Sequence, residues 1–223
     1  MAHRWGYLPA MSTPKRDASH AGIQWRTARQ HFESVDREFH GLIKALPNPD
    51  PSPERTAFES LARAIIGQQL STKAAATIWS RFEAHHGGLP SPMSVLETPQ
   101  EAHRSLGVSG QKHGYLQSLA EHVQASPADF NHVSDWTDDD ILRRWTEVKG
   151  LGKWTVQMHL MFALKRPDVF PVDDLGIRRS MERHLGMEID GPRGDYEKRA
   201  LIWGPFRTAA SRFLWMLLKN QPK

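Results

Sequence analysis

Residues 148–174 read VKGLGKWTVQMHLMFALKRPDVFPVDD. The Gly-x-Gly at Gly150-Leu151-Gly152 lies between two stretches of helical apolar spacing, which predicts two helices joined by a tight turn. Glycine permits positive φ and lets one backbone approach another closely. The helix that starts at Lys153 then offers free first-turn amides and the positive end of its dipole to an anion. From the glycines alone, a plain helix–helix turn with a glycine C-cap reads the same way. From Lys153 to about Leu164 the chain is apolar nearly all round, so this helix is expected at the centre of the fold. After a Pro-rich bend the stretch closes on Asp173-Asp174, which read either as caps of a helix from Leu175 or as reactive acids. The hairpin and the acids together suggest a grip on backbone phosphate beside a carboxylate that does chemistry.

Outward from this stretch the helical pattern continues. Helical spacing runs from Trp25 to Leu46, and the Pro-rich 47–53 breaks it. Ser52-Pro53-Glu54 opens a run with Phe58, Leu61, Ala62, Ile65 and Ile66, which Gly67-Gln68-Gln69-Leu70-Ser71 interrupts. Helices are expected over 72–85, from a Thr98 cap to Leu106, from a Ser109 cap to about Gln124, from a Thr137 cap to the hairpin, over 175–184, and from Pro205 to Leu218. No strand pattern, βαβ unit or long repeat is present, so the fold class is all-α with short Pro/Gly loops.

Composition bounds the rest. A chain of 223 residues suits one large domain or two small lobes, and 39% hydrophobic residues with eight Trp are enough to bury a core. Residues 1–20 read as a loose arm without the apolar core of a secretory signal, and 21–223 as the folded domain. No stretch is long and apolar enough for a membrane helix. Cysteine is absent, which excludes disulfides, thiolate zinc sites and a Cys-ligated iron–sulfur cluster. A reducing compartment is compatible with that, cytoplasmic or nuclear. A net charge of +4 and twelve His suit a polyanionic partner. The His residues show no HExxH or HxH spacing, and His85-His86 before two glycines reads as a solvated helix end.

Val148 to Thr155 resembles the helix–hairpin–helix of the HhH-GPD superfamily of DNA glycosylases. Phe170-Pro171-Val172-Asp173-Asp174-Leu175-Gly176-Ile177-Arg178-Arg179 resembles its Gly/Pro-rich loop and catalytic aspartate. Leu61 to Ser71, LARAIIGQQLS, is similar to the early signature of the 3-methyladenine DNA glycosylase II branch, and Pro205 through Trp215 to that branch's last helix. The resemblance covers roughly residues 25–218. It is to a compact form, because the bacterial form of that branch carries an additional N-terminal β-rich domain.

The resemblance implies a two-lobed helical fold with a cleft, acting as a monomer on double-stranded DNA that contains alkylated bases. It implies base flipping and hydrolysis of the N-glycosidic bond. Asp174 aligns with the catalytic acid and Asp173 with its neighbour in the base pocket. Bifunctional members carry a Schiff-base lysine where this chain has Trp154, so the chain resembles a monofunctional enzyme that leaves the strand uncut. An indole face at Trp154 attracts a cationic alkylpurine by roughly 0.5–2 kcal/mol. Trp215 aligns with a second pocket aromatic, and Met158 stands where the bacterial relative has a tyrosine. Gln69 aligns with the wedge that fills the gap left by the flipped base. Ser109, Lys112, Lys149, Gly150, Gly152 and Lys153 are the implied contacts to the DNA backbone. A monovalent metal ion on the Val148 and Gly150 carbonyls is implied as a phosphate aid, with no cofactor for the chemistry. A glycosylase for hypoxanthine, ethenoadenine or uracil, and a non-catalytic hairpin module that binds DNA, stay open as alternatives.

Overall fold

The computed structural model describes residues 24–51, 54–131, 133 and 135–219. The arm expected over 1–20 lies outside them, as do Ser52 and Pro53 at the expected start of the third helix. The described residues form helices and no strand. In chain order these are α1 (Trp25–Val35), α2 (Arg37–Ile43), α3 (Ala57–Gly67), α4 (Thr72–His85), α5 (Pro92–Glu97), α6 (Gln100–Ser105) and α7 (Gly110–Ala125). There follow α8 (Ala128–Asn131), α9 (Asp138–Trp145), α10 (Lys153–Phe162), α11 (Leu175–His184), α12 (Arg193–Ala200), a 3-10 turn (Leu201–Trp203) and α13 (Arg207–Lys219). None is long and apolar enough to cross a membrane among the described residues.

Local chemistry explains most boundaries. Thr56, Ser71, Ser109, Thr137 and Asp174 each accept a backbone N–H at the start of a helix. Two expectations need correction. The periodic stretch 25–46 is broken at Asp36, where ψ is 76°, because the Asp36 side chain caps a new helix through Phe39 N at 3.1 Å. Thr98 does not open a helix. It ends α5, donating its hydroxyl to Ser94 O at 2.7 Å, and α5 itself starts in a capping box at Ser91.

Two cores result. The first is built on α3 to α10, with Leu61, Ile65, Phe82, Leu116, Trp145 and Leu160 sealed from solvent. The second joins α1 and α2 to α11, α12 and α13 around Phe32, Phe39, Tyr196, Trp203 and Phe213. Buried apolar area at about 25 cal/mol per Å² stabilises each lobe. Asp36 ties the chain's two ends within the second lobe: it accepts Trp203 Nε1 at 2.7 Å and pairs with Arg199 at 2.6 Å. Residues 163–174 pass between the lobes and are fixed by α13. Asp168 takes Arg207 through two bonds of 2.7 and 2.8 Å, and Val169 N donates to Thr208 Oγ1 at 3.0 Å.

Two imidazoles sit inside the first core. His159 packs on Trp145, neither ring nitrogen has a partner, and burial lowers its pKa to about 3. His103 packs on Phe82 with Nδ1 2.8 Å from His113 Nδ1. Burial, then the neighbouring His113, lowers its pKa to about 4.

Candidate active site

Asp174 is the N-cap of α11. Its Oδ1 accepts Ile177 N and Trp215 Nε1, both at 2.9 Å, and its Oδ2 accepts Trp154 Nε1 at 2.9 Å. Three elements therefore converge on one half-buried carboxylate: α11 supplies the acid, α10 one indole from the first lobe and α13 the other. Among the described residues no ion pair involves Asp174. The close fit depends on Gly176, where a Cβ would lie 3.1 Å from Asp174 Oδ1 and 3.4 Å from Trp215 Nε1. Trp154, Met158 and Phe162 recur every four residues along α10 and are its half-buried stripe, while the residues between them are largely buried. Phe162 stacks on Trp215 with centroids 5.7 Å apart. Phe162 is absent from the sequence-based set, although the four-residue spacing from Trp154 would have found it.

Trp154, two residues after the second hairpin glycine and 20 before Asp174 in the chain, joins the hairpin to the acid through its indole bond. The two hairpin glycines differ. Gly150 has φ +94°, and a Cβ there would stand 2.3 Å from Tyr115 Cγ of α7, so both conformation and space demand glycine. Gly152 has ordinary φ of −76° and open space around it. No side chain caps α10, so its first-turn amides are left for an outside acceptor. Lys149, Gly152 and Lys153 are exposed around this opening.

Other expected positions are placed differently. Gln69 is exposed at the tip of the α3–α4 loop with φ 56°. Ser109 caps α7, accepting Lys112 N at 3.3 Å. Lys112 is not turned to solvent as a backbone contact would be: its Nζ donates to Ile66 O at 2.7 Å and Gln68 O at 2.9 Å, and burial lowers its pKa. Asp173, next to Asp174 in the chain, pairs with Arg193 Nε at the start of α12 at 3.0 Å. Of the carbonyls expected to hold a metal ion, Gly150 O accepts Gln68 Nε2 at 2.9 Å and Val148 O accepts Leu151 N at 3.0 Å, which leaves each oxygen a second lone pair.

Residues 62–205 match the family described as HhH-GPD superfamily base excision DNA repair protein. The chain belongs to the HhH-GPD superfamily. Among relatives of this superfamily, the DNA-3-methyladenine glycosylase 1 of Schizosaccharomyces pombe is 34% identical over 199 residues, covering 86% of this chain and 87% of the relative. The solved structure of the S. pombe 3-methyladenine DNA glycosylase in complex with abasic DNA superposes with a TM-score of 0.79 at 33% identity, covering 85% of this chain and 95% of that one. A DNA-3-methyladenine glycosidase from Bacillus halodurans gives 0.73 at 28% identity, covering 86% and 89%. The all-α, two-lobed HhH-GPD fold read from the sequence is thus the observed one.

Proposed function

We propose that this protein is a monofunctional DNA glycosylase that releases alkylated bases of the 3-methyladenine and 7-methylguanine type from duplex DNA in base excision repair. The observation that carries this reading is the Asp174 carboxylate, held by two indoles with no ion pair among the described residues. As the N-glycosidic bond breaks, its electron pair leaves with the base and the sugar takes on oxocarbenium character. A fixed, partly desolvated carboxylate stabilises that charge and orients the attacking water. Water adds at the sugar carbon, its proton passes to solvent through Asp174, and a cationic alkylpurine leaves as a neutral base. No dedicated general acid is required for such a leaving group.

The exposed amides of α10, with Lys149 and Lys153, suit a DNA phosphate beside the cleft, and open space at Gly152 suits close approach of a second backbone. Gln69 at the loop tip suits the role of wedge. At Trp154 an indole stands in place of a primary amine, so no Schiff base forms with the sugar and the strand stays uncut. The protein works as a monomer, in the cytoplasm or nucleus where its DNA lies. Base release from methylated duplex DNA by chromatography, with the strand checked for nicks, tests this reading: the wild type releases 3-methyladenine or 7-methylguanine without nicking, and Asp174→Asn does not.

A further inference from the structure

Gln69 is one of few non-glycine residues here with positive φ, 56°. Such a conformation persists only where the surroundings fix it. Two side chains do so. Lys112, in the first turn of α7, sends Nζ beneath the end of α3 to Ile66 O and Gln68 O, at 2.7 and 2.9 Å. A cation there also complements the negative end of the α3 dipole. The Gln68 side chain runs the other way, its Nε2 donating to Gly150 O at 2.9 Å and to the buried Thr155 Oγ1 at 3.0 Å. The third side closes where Gly150 lies against Tyr115, three residues after Lys112 on α7. The end of α3, the start of α7 and the hairpin thus form a closed triangle with Gln69 projecting from one corner.

We infer that Lys112 is a positioning residue for damage recognition: through the last carbonyls of α3 it holds the Gln69 loop at a set distance from the hairpin, so wedge and phosphate grip engage the duplex as one unit. This rests on the reading of Gln69 as wedge and of the hairpin as grip. On that basis Lys112 does not touch phosphate, unlike exposed Lys153. Loss of its ammonium weakens the hold on DNA whose base is missing and leaves undamaged duplex alone.

The test measures binding of the full chain to two duplexes, one undamaged and one with a tetrahydrofuran abasic site, across a salt series. Lys112→Met keeps the apolar stem and removes the donors. Expected are about a tenfold loss on the abasic duplex, no change on the undamaged one, and an unchanged slope of log affinity against log salt. Lys153→Met, by contrast, weakens both duplexes and lowers the slope by ~0.9, the signature of one lost phosphate contact. A slope change of that size for Lys112→Met, equal loss on both duplexes, or no loss on either overturns the inference. Gln68→Leu cuts another side of the triangle and carries the same expectation should Lys112→Met melt early. Gln69→Ala separates the two readings: if it leaves abasic affinity intact, the wedge assignment is what fails, and if the wild type itself does not prefer abasic DNA, the glycosylase reading fails.

Discussion

Asp36 and Asp174 each cap a helix of the second lobe through the amide three residues on, Phe39 N at 3.1 Å in one case and Ile177 N at 2.9 Å in the other. Each also accepts an indole N–H, from Trp203 at 2.7 Å and from Trp215 at 2.9 Å. They part at the last ligand. Asp36 is met by Arg199 at 2.6 Å, whereas Asp174 is met by a second indole, Trp154 at 2.9 Å. Burial by itself raises the Asp36 pKa, but the bonds from Arg199, Phe39 and Trp203 outweigh it and hold the carboxyl below the usual range. One acid has its charge answered inside the protein. The other is oriented by three hydrogen bonds and, among the described residues, is met by no cation.

The sharpest break of this comparison is the pair of amide substitutions. Asp174→Asn keeps shape and cap but turns an amide NH2 toward the Trp154 N–H, so base release should fall by about a thousandfold or more while stability drops by only about 1–2 kcal/mol. Release close to wild type would mean the open carboxylate is not the working one. Asp36→Asn should do the reverse. It takes the close partner from a half-buried guanidinium, leaving Glu38 at 3.8 Å, and should cost about 3 kcal/mol in denaturant unfolding, with the rate per folded molecule unchanged. Adding Arg199→Met should recover part of that loss, since the uncompensated charge goes too; strict additivity of the two changes would show that the pair is not coupled.

The hairpin repeats the contrast on a smaller scale. Gly150→Ala forces a Cβ into Tyr115 at positive φ and should cost about 2–3 kcal/mol of stability. Gly152→Ala meets nothing in the protein and should leave unfolding unchanged, yet weaken DNA binding by about tenfold because the space is needed by the partner. Exchanged outcomes would reassign which glycine faces DNA.

Acid distinguishes the lobes. His103 and His159 stay neutral in the folded protein down to about pH 4 and 3, whereas the unfolded chain protonates them near the ordinary 6.5. The unfolded state therefore binds more protons below pH 6.5, and stability falls as pH drops, by about 2 kcal/mol per ring at pH 5. Asp36, whose pKa is lowered, keeps its contribution until the pH falls below the carboxylate range. Burial also lowers His86 and, in the second lobe, His184, so unfolding between pH 6.5 and 5 reads chiefly the first lobe, and His159→Leu should remove less than half of the slope. A slope unchanged by that substitution would place the acid sensitivity elsewhere.

What was legible in the sequence is what local chemistry decides. The hairpin, the caps at Ser109, Thr137 and Asp174, and the two tryptophans needed only neighbouring residues or motif resemblance to be read. Asp36 escaped notice because its cap lies inside a stretch of unbroken helical spacing. The helices α5 and α12, of six and eight residues, are too short to show a period. Lys112 was read as a DNA contact from motif resemblance, which says nothing of its partners inside the fold. Its partners are 44 and 46 residues away, and Gln68 reaches 82 residues to Gly150. Such contacts are products of assembly, invisible to any window along the chain.

The bond from Trp203 to Asp36 spans 167 residues and closes a lobe drawn from both ends of the chain. During synthesis α3 to α10 emerge together and can pack as a unit, while α1 and α2, already outside the ribosome, hold Phe32, Phe39 and Ile43 without a cover until α13 arrives. The carboxylate and its second indole come together only then. A nascent chain therefore lacks its completed carboxylate site until α13 packs, and α1 and α2 are the helices that a chaperone would have to shelter longest.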